Sequence, residues 1–546
     1  MMHTWKMRTT INDAVFGPYF AANTTDARCM YNTANFYIRN TMTGIRKSPE
    51  DRTANETEVL HYVFTGIQKA NEHAEKRWME DLAKCMQLKG LQKHAALARF
   101  AMKKYKFFEY PSMDKWFLSY ETLDAIFKVT GHPVYKRMNS QVNQNAIRKV
   151  TKAWKAYFKS IKDYRCNPQK YKAKPRMPGY IRSEQTTAWF TGQVAKLVVK
   201  GGKAYLQFVN QKTLFCIGKA SLYSGMKYVK TEVKPVHGQF TVCITFEDGL
   251  QLPKVPDHPV RIIGIDQGMD NFAAVATNFG ETPFLVKGGA VKAANQLFNK
   301  KRAILLSELT KGSDSTHSAK DSRQLSAISR KREDFIRDFF YKTAWYICRF
   351  AKTHQADVIV LGHNEDQKQE LDLGHVTNQN FIAIPFSSFQ SVLVITAAKC
   401  GISVIVREES YTSKASLLDG DAIPTYGKND GISRQFSGRR IKRGLYRSAD
   451  GTCLNADVNG AGNILRKEYA YAFDGQDMAY LYRTTKTVGY KDLYQNAVSA
   501  CGRNYNGKTH LSGKGHICHK RYRDARKTEL KQIFFKGKRI YHKKPA

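Results

Sequence analysis

The sequence predicts a multidomain α/β protein, and three observations support this fold class. The chain has 546 residues, which is too many for a single hydrophobic core. Apolar residues make up 42% of the composition, enough to fill several cores. Their spacing changes from helical to strand-like near residue 185, and the C-terminal half then alternates strands with helices.

The net charge predicts a polyanionic partner. The 88 Lys and Arg residues outnumber the 47 Asp and Glu residues, giving +41, and such a surplus repels itself unless a polyanion neutralises it. Nucleic acid is the expected partner, and an anionic membrane surface is the weaker alternative. No apolar run reaches the roughly 18 residues of a membrane span, and the polar N-terminus does not resemble a signal peptide. The 10 cysteines are scattered, as is typical of reduced thiols in the cytosol.

The N-terminal region is predicted to be β-rich over residues 1–45, with one helix near 25–39, and helical from about 55 to 165. The last of these helices interleaves Lys and Arg with aromatic residues and continues into a basic, proline-punctuated linker over 165–182. The basic run suits a phosphate backbone with exposed bases, whereas the aromatic residues alone are better explained by packing in a core. The predicted nucleic-acid contacts are Lys149, Lys152, Lys155, Lys159, Lys170, Lys172, Lys174 and Arg176.

Residues 185–250 have strand periodicity with glycine turns, which predicts a small antiparallel barrel or sheet. The N-terminal strands can belong to the same domain, with the helical region inserted between them. Pro253, Pro256 and Pro259 then mark a domain boundary.

The C-terminal half has the order of elements of the RNase H fold. Three meandering strands precede a long helical stretch, a fourth strand, a helix and a fifth strand. The predicted spans are 261–288, 290–353, 356–363, 379–400 and 402–409. Because crossover connections are right-handed, strands one, four and five are expected to be parallel, with their C-terminal ends on one edge.

Three carboxylates are expected at that edge. Asp266 ends the first strand, Glu408 and Glu409 end the fifth, and Asp457 follows at the start of a helix. Singly, Asp266 can mark a strand that stops at a turn, and Asp457 can simply complement the helix dipole. Together, converging carboxylates can hold two divalent ions about 4 Å apart for phosphodiester cleavage. Their hard oxygen ligands favour Mg²⁺.

Four segments carry a resemblance to a known family. They are GIDQGMDNFAAV (264–275), NQNFIAIPFSSF (378–389), EESYTSKASLLDG (408–420) and GRRIKRGLYRSADGTCLNADVNGAGNIL (438–465). The chain resembles TnpB, the RNA-guided nuclease encoded by bacterial insertion sequences, and its descendants, the compact type V CRISPR effectors. The resemblance covers most of the chain and is weaker over 152–181.

The resemblance implies a RuvC-like nuclease domain, a variant of the RNase H fold, preceded by a β-barrel wedge domain with an inserted α-helical recognition lobe. The implied boundaries are 1–45 and 183–255 for the wedge domain, 46–182 for the recognition lobe, 256–410 for the nuclease, 411–456 for a target-nucleic-acid-binding insert, 457–470 for the final RuvC helix and 471–546 for a basic C-terminal extension.

The implied activity is Mg²⁺-dependent cleavage of double-stranded DNA chosen by a guide RNA, either an omega-type RNA or a CRISPR RNA. The implied location is the bacterial cytoplasm, at the nucleoid. One alternative is a catalytically inactive RNA-guided DNA-binding protein, against which Asp266 and Asp457 argue. Another is a guide-independent, structure-specific nuclease, against which the recognition-like lobe argues. The sequence does not separate a transposon-encoded protein from a CRISPR-associated one.

The chain departs from the family pattern at its second carboxylate. The usual pattern places this acid at the end of the fourth strand, where this chain has Gly362 and His363. The resemblance is to a subset with the glutamate on the fifth strand. It implies that the catalytic residues and metal ligands for two Mg²⁺ ions are Asp266, Glu409 and Asp457, with Glu408 in reserve. Glu365 is a third option, better explained as a solvated loop acid.

Zinc is not expected. Family members often carry two Cys-x-x-Cys pairs before the final Asp, but here Ala415 and Ser416 replace the first pair, and Cys453 stands alone. A basic stretch is predicted to steer DNA toward the metals instead. It comprises Arg439, Arg440, Lys442, Arg443 and Arg447.

The C-terminal extension is strongly basic from residue 501 onward. Its metal-ligating side chains, His510, His516, Cys518 and His519, fit no common zinc spacing. Contact with the guide RNA is therefore the prediction for this segment, and a disordered tail is the alternative.

Overall fold

The computed structural model describes residues 2–312, 321–363, 384–425 and 434–494. Two compact units divide the chain, Met1–Tyr490 and Lys491–Ala546, and every element described below lies in the first. None of the helices within the described ranges is long and apolar enough to cross a membrane. The predictions for the tail from residue 501 onward fall outside the described residues.

Seven strands before residue 248 form two antiparallel sheets. Their bounds are β1 Met2–Thr10, β2 Ala188–Thr191, β3 Ala195–Lys200, β4 Lys203–Phe208, β5 Phe215–Lys219, β6 Lys227–Val236 and β7 Gln239–Glu247. The strand order is β1-β7-β6-β2 in one sheet and β3-β4-β5 in the other. β1 pairs with β7 along its whole length, with Met2 opposite Glu247 and Thr10 opposite Gln239. The N-terminal strand therefore completes a sheet built by residues far along the chain.

Six helices lie between β1 and β2. Their bounds are α1 Phe16–Gly44, α2 Ala54–Gln87, α3 Gly90–Met102, α4 Tyr120–Val129, α5 Pro133–Lys136 and α6 Ser140–Cys166. The β-rich prediction for residues 1–45 is wrong in extent, since α1 runs for 29 residues. Its Asn and Thr residues obscure the helical pattern because such residues favour caps and turns. Inside the helix they have partners: Thr24 Oγ1 donates to Phe20 O at 2.7 Å, and Asn35 Oδ1 accepts from Trp154 Nε1 at 2.9 Å.

The basic linker after α6 packs back on α1. Asn32 Nδ2 donates to Ile181 O at 3.0 Å, and Asn32 Oδ1 accepts from Ile181 N at 2.8 Å. Arg39 Nε donates to Pro178 O at 3.1 Å. The C-terminal end of the linker is therefore fixed on the helical region.

A six-stranded sheet organises the C-terminal part of the unit, in the order β12-β11-β8-β9-β10-β16. The bounds are β8 Ile262–Gln267, β9 Asn271–Thr277, β10 Phe284–Lys287, β11 Val358–His363, β12 Ser403–Glu408 and β16 Lys486–Val488. β8, β11 and β12 are parallel, and β9 is antiparallel to its neighbours. These directions confirm the predicted parallel arrangement of strands one, four and five. β16 pairs with β10, so the extension predicted from residue 471 contributes a strand to this sheet.

Among the described residues of this part of the chain, five α-helices and a small three-stranded sheet accompany the large sheet. The helices are α7 Gly289–Thr310, α8 Arg323–Thr353, α9 Phe386–Lys399, α10 Ala456–Glu468 and α11 Met478–Leu481, and the small sheet has β13 Arg439–Lys442, β14 Leu445–Arg447 and β15 Cys453–Asn455. On β9, the ring of Phe272 meets Phe339 of α8 at 4.9 Å and Phe389 of α9 at 4.8 Å, both edge to face. This packing holds the central strands in place.

α10 packs its apolar face on the central strands of the large sheet. Val458, Ala461 and Ile464 are fully buried and share one core with Ile262 of β8 and Val360 of β11. Their spacing along the chain is the three- and four-residue repeat of a helix with one buried side. The helix therefore brings its first turn, which carries Asp457, to the C-terminal ends of β8 and β11.

Candidate active site

Asp266 is the residue on which the candidate site converges. It follows the buried apolar residues of β8. Burial raises the pKa of Asp266 well above its usual value, and the negative charges of Glu409 and Asp457 raise it further, while the Arg440 guanidinium lowers it. The structure therefore brings Glu409 and Asp457 each close enough to Asp266 for their charges to act on it at one edge of the sheet.

Glu409 reaches this position across strand four. It is the first residue after β12, and β11 separates β12 from β8. Glycine at position 362 makes the crossing possible, because a Cβ there would lie 2.7 Å from Glu409 Oε2 and 2.4 Å from Ile464 Cδ1. A side chain at position 362 would force the ends of the Glu409 and Ile464 side chains to shift. This explains why strand four has no acid at its end, because the side chain of Glu409 occupies the space next to Gly362.

Burial raises the pKa of Glu409 to about 7, with a further contribution from the charge of Glu408 and an opposing one from Lys467. A carboxyl group of this kind exchanges its proton near neutral pH. Perturbed carboxyl groups gathered in one place are typical of functional sites.

Glu408 faces a different set of partners. Its Oε2 accepts from Lys467 Nζ at 2.6 Å, and its Oε1 accepts from Ser410 N at 2.7 Å. Burial raises the pKa of Glu408, but the hydrogen bonds from Lys467 and Ser410 outweigh that effect and lower it overall. The geometry therefore favours Glu409 over the reserve Glu408. Glu365 lies outside the described residues.

Asp457 stands in the first turn of α10. Asn455 caps this helix, since its Oδ1 accepts from Asp457 N at 3.0 Å and from Val458 N at 3.3 Å. The carboxylate accepts from Asn271 Nδ2 at 2.6 Å and from an Arg440 guanidinium nitrogen at 2.9 Å. These contacts fix the direction of the Asp457 side chain.

The helix approaches the carboxylates closely at Gly460. A Cβ at this position would lie 2.7 Å from Asp266 Oδ2. Glycine therefore lets the first turn of α10, with Asp457, sit beside the end of β8. The two aspartates are brought together by backbone proximity and do not depend on long side chains.

The donor set fits a hard divalent cation. Three carboxylates supply oxygen ligands, and their repulsion, visible in the raised pKa of Asp266, is relieved when a cation binds. Among the described residues, however, no group of three His, Cys, Asp or Glu side chains is arranged so that it can hold a metal ion as it stands. The cation beside Asp457 is instead the Arg440 guanidinium, so ion binding requires the side chains to close up.

The predicted basic stretch forms the hairpin of β13 and β14 at this edge. All five of its predicted side chains are exposed: Arg439, Arg440, Lys442, Arg443 and Arg447. Arg440 pairs with Asp457 and Arg443 pairs with Asp270. Hydrogen bonding from Lys292, with Arg443 adding its charge, lowers the pKa of Asp270. The hairpin therefore lies beside the carboxylates, and its contact with phosphate stays a prediction.

The predicted contacts on α6 and the linker divide into two groups. Most are exposed, namely Lys152, Lys155, Lys159, Lys170, Lys172, Lys174 and Arg176. Lys149 differs, because it is half-buried and its Nζ donates to Thr186 Oγ1 at 2.9 Å. Burial also lowers the pKa of Lys149. The hydrogen bond to Thr186 ties this lysine to the protein. Trp154 is fully buried, in keeping with the core explanation of the aromatic residues.

Two residues near the carboxylates were not predicted from the sequence, and a third was predicted only in part. Asn271 and Lys467 gave no signal, because a lone Asn at a strand start and a Lys near a helix end are common on protein surfaces. Gly362 was predicted only as a position where the family pattern has an acid, and its close approach to Glu409 was not predicted. A glycine at the end of a buried strand indicates that another group approaches closely.

A comparison with known protein families agrees with the resemblance found in the sequence. Residues 241–367 match the family model OrfB_IS605, described as probable transposase. The matched stretch contains Asp266 and ends before Glu409 and Asp457. No curated protein matches the chain.

Several solved structures are distantly similar. The Cas12f1–sgRNA–target DNA complex has 12% sequence identity and a TM-score of 0.40, covering 85% of this chain and 98% of that one. A CRISPR-Cas12f ternary complex has 12% identity and a TM-score of 0.28, covering 75% and 81%. The mini-RNA-guided endonuclease CRISPR-Cas phi3 has 12% identity and a TM-score of 0.33, covering 64% and 85%.

Proposed function

We propose that this protein is an RNA-guided DNA endonuclease that hydrolyses phosphodiester bonds with two Mg²⁺ ions held by Asp266, Glu409 and Asp457. The observation that carries the proposal is the position of these carboxylates at the C-terminal edge of the parallel strands β8, β11 and β12, where Gly460 of α10 closely approaches Asp266 and Gly362 of β11 closely approaches Glu409. The match of residues 241–367 to a transposase family model adds support. Mg²⁺ in such a site would activate water and stabilise the leaving oxygen.

The chain's own residues prepare the site in distinct ways. Asn271 orients Asp457, and Lys287 in turn donates to Asn271 Oδ1 at 2.8 Å. Arg440 and Arg443, exposed on the hairpin, stand where a phosphate group can replace their present carboxylate partners. The incoming DNA would thereby release Asp457 for ion binding.

The remaining parts of the chain bind the guide and the target in this proposal. The two sheets built from β1 to β7 correspond to the wedge domain, and the helices from α1 to α6 correspond to the recognition lobe. The net charge of +41 suits a protein that covers a guide RNA and a heteroduplex. Its place would be the bacterial cytoplasm, at the nucleoid.

The test has two parts. The protein is expressed together with its native flanking DNA and purified, and the RNA that accompanies it is sequenced. One abundant RNA with a defined scaffold and a variable end is expected, and its map position shows whether a transposon end or a repeat array encodes it. Degraded RNA of random sequence would contradict the guided function.

The second part measures cleavage of a DNA that matches the variable end. Asp266→Ala and Glu409→Gln are expected to abolish cutting and to leave DNA binding intact. Glu468→Gln is the matched control, because it removes an acid from the same helix that carries Asp457, where it pairs with Arg407 at 3.3 Å. Normal cutting by Glu409→Gln would refute the site.

A further inference from the structure

Lys467 is buried to an extent that is unusual for a lysine. Its side chain is 4% exposed. Its Nζ lies 2.6 Å from Glu408 Oε2, 2.9 Å from Ser410 O, 3.3 Å from Ser410 Oγ and 3.2 Å from Pro424 O. A buried ammonium group is costly unless its protons have partners, and here four oxygens surround three protons.

These partners flank Glu409 on both sides. Glu408 precedes it and Ser410 follows it, so a single ammonium group holds both chain neighbours of the candidate ligand. Lys467 itself belongs to α10, the helix whose first turn carries Asp457. The lysine therefore ties the Glu409 segment to the element that positions Asp457.

The backbone after Glu409 needs such support. Tyr411 has a φ of 64°, a left-handed conformation that costs a non-glycine residue about 1 kcal/mol or more. The same helix holds this turn at a second point, since Asn463 Nδ2 donates to Thr412 O at 2.9 Å. Thr412 Oγ1 in turn donates to Glu409 O at 2.8 Å.

We propose that Lys467 is a positioning residue that fixes Glu409 relative to Asp457 and thereby sets the affinity of the carboxylate site for divalent cations. The inference rests on the proposed function and deepens it. Lys467 would touch neither the ions nor the DNA. Partners that orient metal ligands commonly change metal affinity by about 10- to 100-fold when removed.

The chain offers a matched control for this lysine. Arg407 precedes Glu408 on β12, and Glu468 follows Lys467 on α10. These two neighbours form their own ion pair between the strand and the helix, with Arg407 Nε 3.3 Å from Glu468 Oε2. Their contact does not flank Glu409. Arg407→Met therefore tests whether any ion pair between β12 and α10 matters.

The first measurement is Mn²⁺ binding to the purified full-length protein, followed by the loss of the free-ion electron paramagnetic resonance signal, with Asp266→Ala as the baseline. Lys467→Met is expected to weaken the site by about tenfold or more, Lys467→Arg by less, and Arg407→Met by no more than about twofold. The second measurement is cleavage against Mg²⁺ concentration. For Lys467→Met the half-saturating concentration should rise by a similar factor, with the rate at saturation within about threefold of wild type.

Each outcome has one meaning. Wild-type Mn²⁺ affinity in Lys467→Met overturns the positioning role, and so does an equal loss in Arg407→Met. If Lys467→Met does not fold, Lys467→Gln replaces it, with an expected loss of at least about threefold and the same control. If the wild-type protein binds no more Mn²⁺ than Asp266→Ala, the proposed function itself fails, which distinguishes that failure from an error about Lys467.

Discussion

The carboxylate edge of the large sheet and helix α3 of the helical region are built in opposite ways. At the edge, Asp457, Glu408 and Lys467 each have several partners at hydrogen-bond distance. In α3, none of the 13 residues, all of them described, is buried, and Leu91 is 88% exposed. The comparison teaches that side chains of like charge keep a fixed geometry where many hydrogen bonds hold the residues around them. The side chains of α3 are not held by packing in this way, because none of them is buried.

The largest effect is expected at Asp266. Asp266→Asn should lower cleavage by about a thousandfold or more, because one of the three proposed metal ligands is lost. The metal-free protein should become more stable at pH 8, because the raised pKa of Asp266 means that its charged form is disfavoured in the folded state. Differential scanning calorimetry without divalent ions checks this gain.

The sign of that gain follows from the direction of the pKa. A carboxyl group whose pKa is raised by folding destabilises the folded state progressively as the pH rises above the pKa that the group has in the unfolded chain. The stability advantage of Asp266→Asn should therefore vanish near pH 4, where the carboxyl group is largely protonated in both states. Asp474→Asn, at an exposed acid, is the control and should leave the unfolding temperature unchanged. An advantage that grows toward low pH would contradict the electrostatic explanation.

Gly362→Ala should break the crossing of Glu409 over strand four. The added methyl group would lie 2.7 Å from Glu409 Oε2 and 2.4 Å from Ile464 Cδ1, so we expect a 10- to 100-fold loss of cleavage and a stability loss of about 1–3 kcal/mol. Gly289→Ala is the control, because a Cβ there meets nothing within 4 Å. Full activity in Gly362→Ala would show that Glu409 takes another path.

The pH should control ion binding at this edge. Burial raises the pKa of Glu409 to about 7, so below that pH an incoming ion must displace a proton. The Mn²⁺ dissociation constant should therefore fall by at least about tenfold per pH unit up to about pH 7. A flat profile between pH 6 and pH 8 would show that Glu409 is already ionised there.

The smallest effect is expected at α3. Leu91→Ala should change the free energy of unfolding by no more than about 0.5 kcal/mol, because that side chain is 88% exposed. Leu123→Ala, in the same helical region but fully buried, should cost about 2–5 kcal/mol. Chemical denaturation of both variants makes the comparison, and equal losses would show that Leu91 is covered in solution.

The sequence predicted the order and direction of the five strands because each is an apolar run with clear ends. It also predicted Asp266 and Asp457, which stand at the end of such a run and at a helix start. Its preference for Glu409 over Glu408 came from the family resemblance, because neighbouring residues past a strand can turn either way. In the structure, Glu408 accepts a hydrogen bond from Lys467, which lies almost 60 residues later. The strand β16 was not predicted, because a strand of three residues is too short to show an alternation of apolar and polar side chains.

The pairing of β1 with β7 has a consequence for synthesis on the ribosome. β1 is an edge strand whose partner ends at Glu247, 247 − 2 = 245 residues after Met2. At about 5–20 residues per second, β1 emerges roughly 12–50 seconds before its partner exists. Many of the helical residues between them share a core of their own, which can form during that interval. The nascent chain thus carries β1 without its partner until translation passes residue 247.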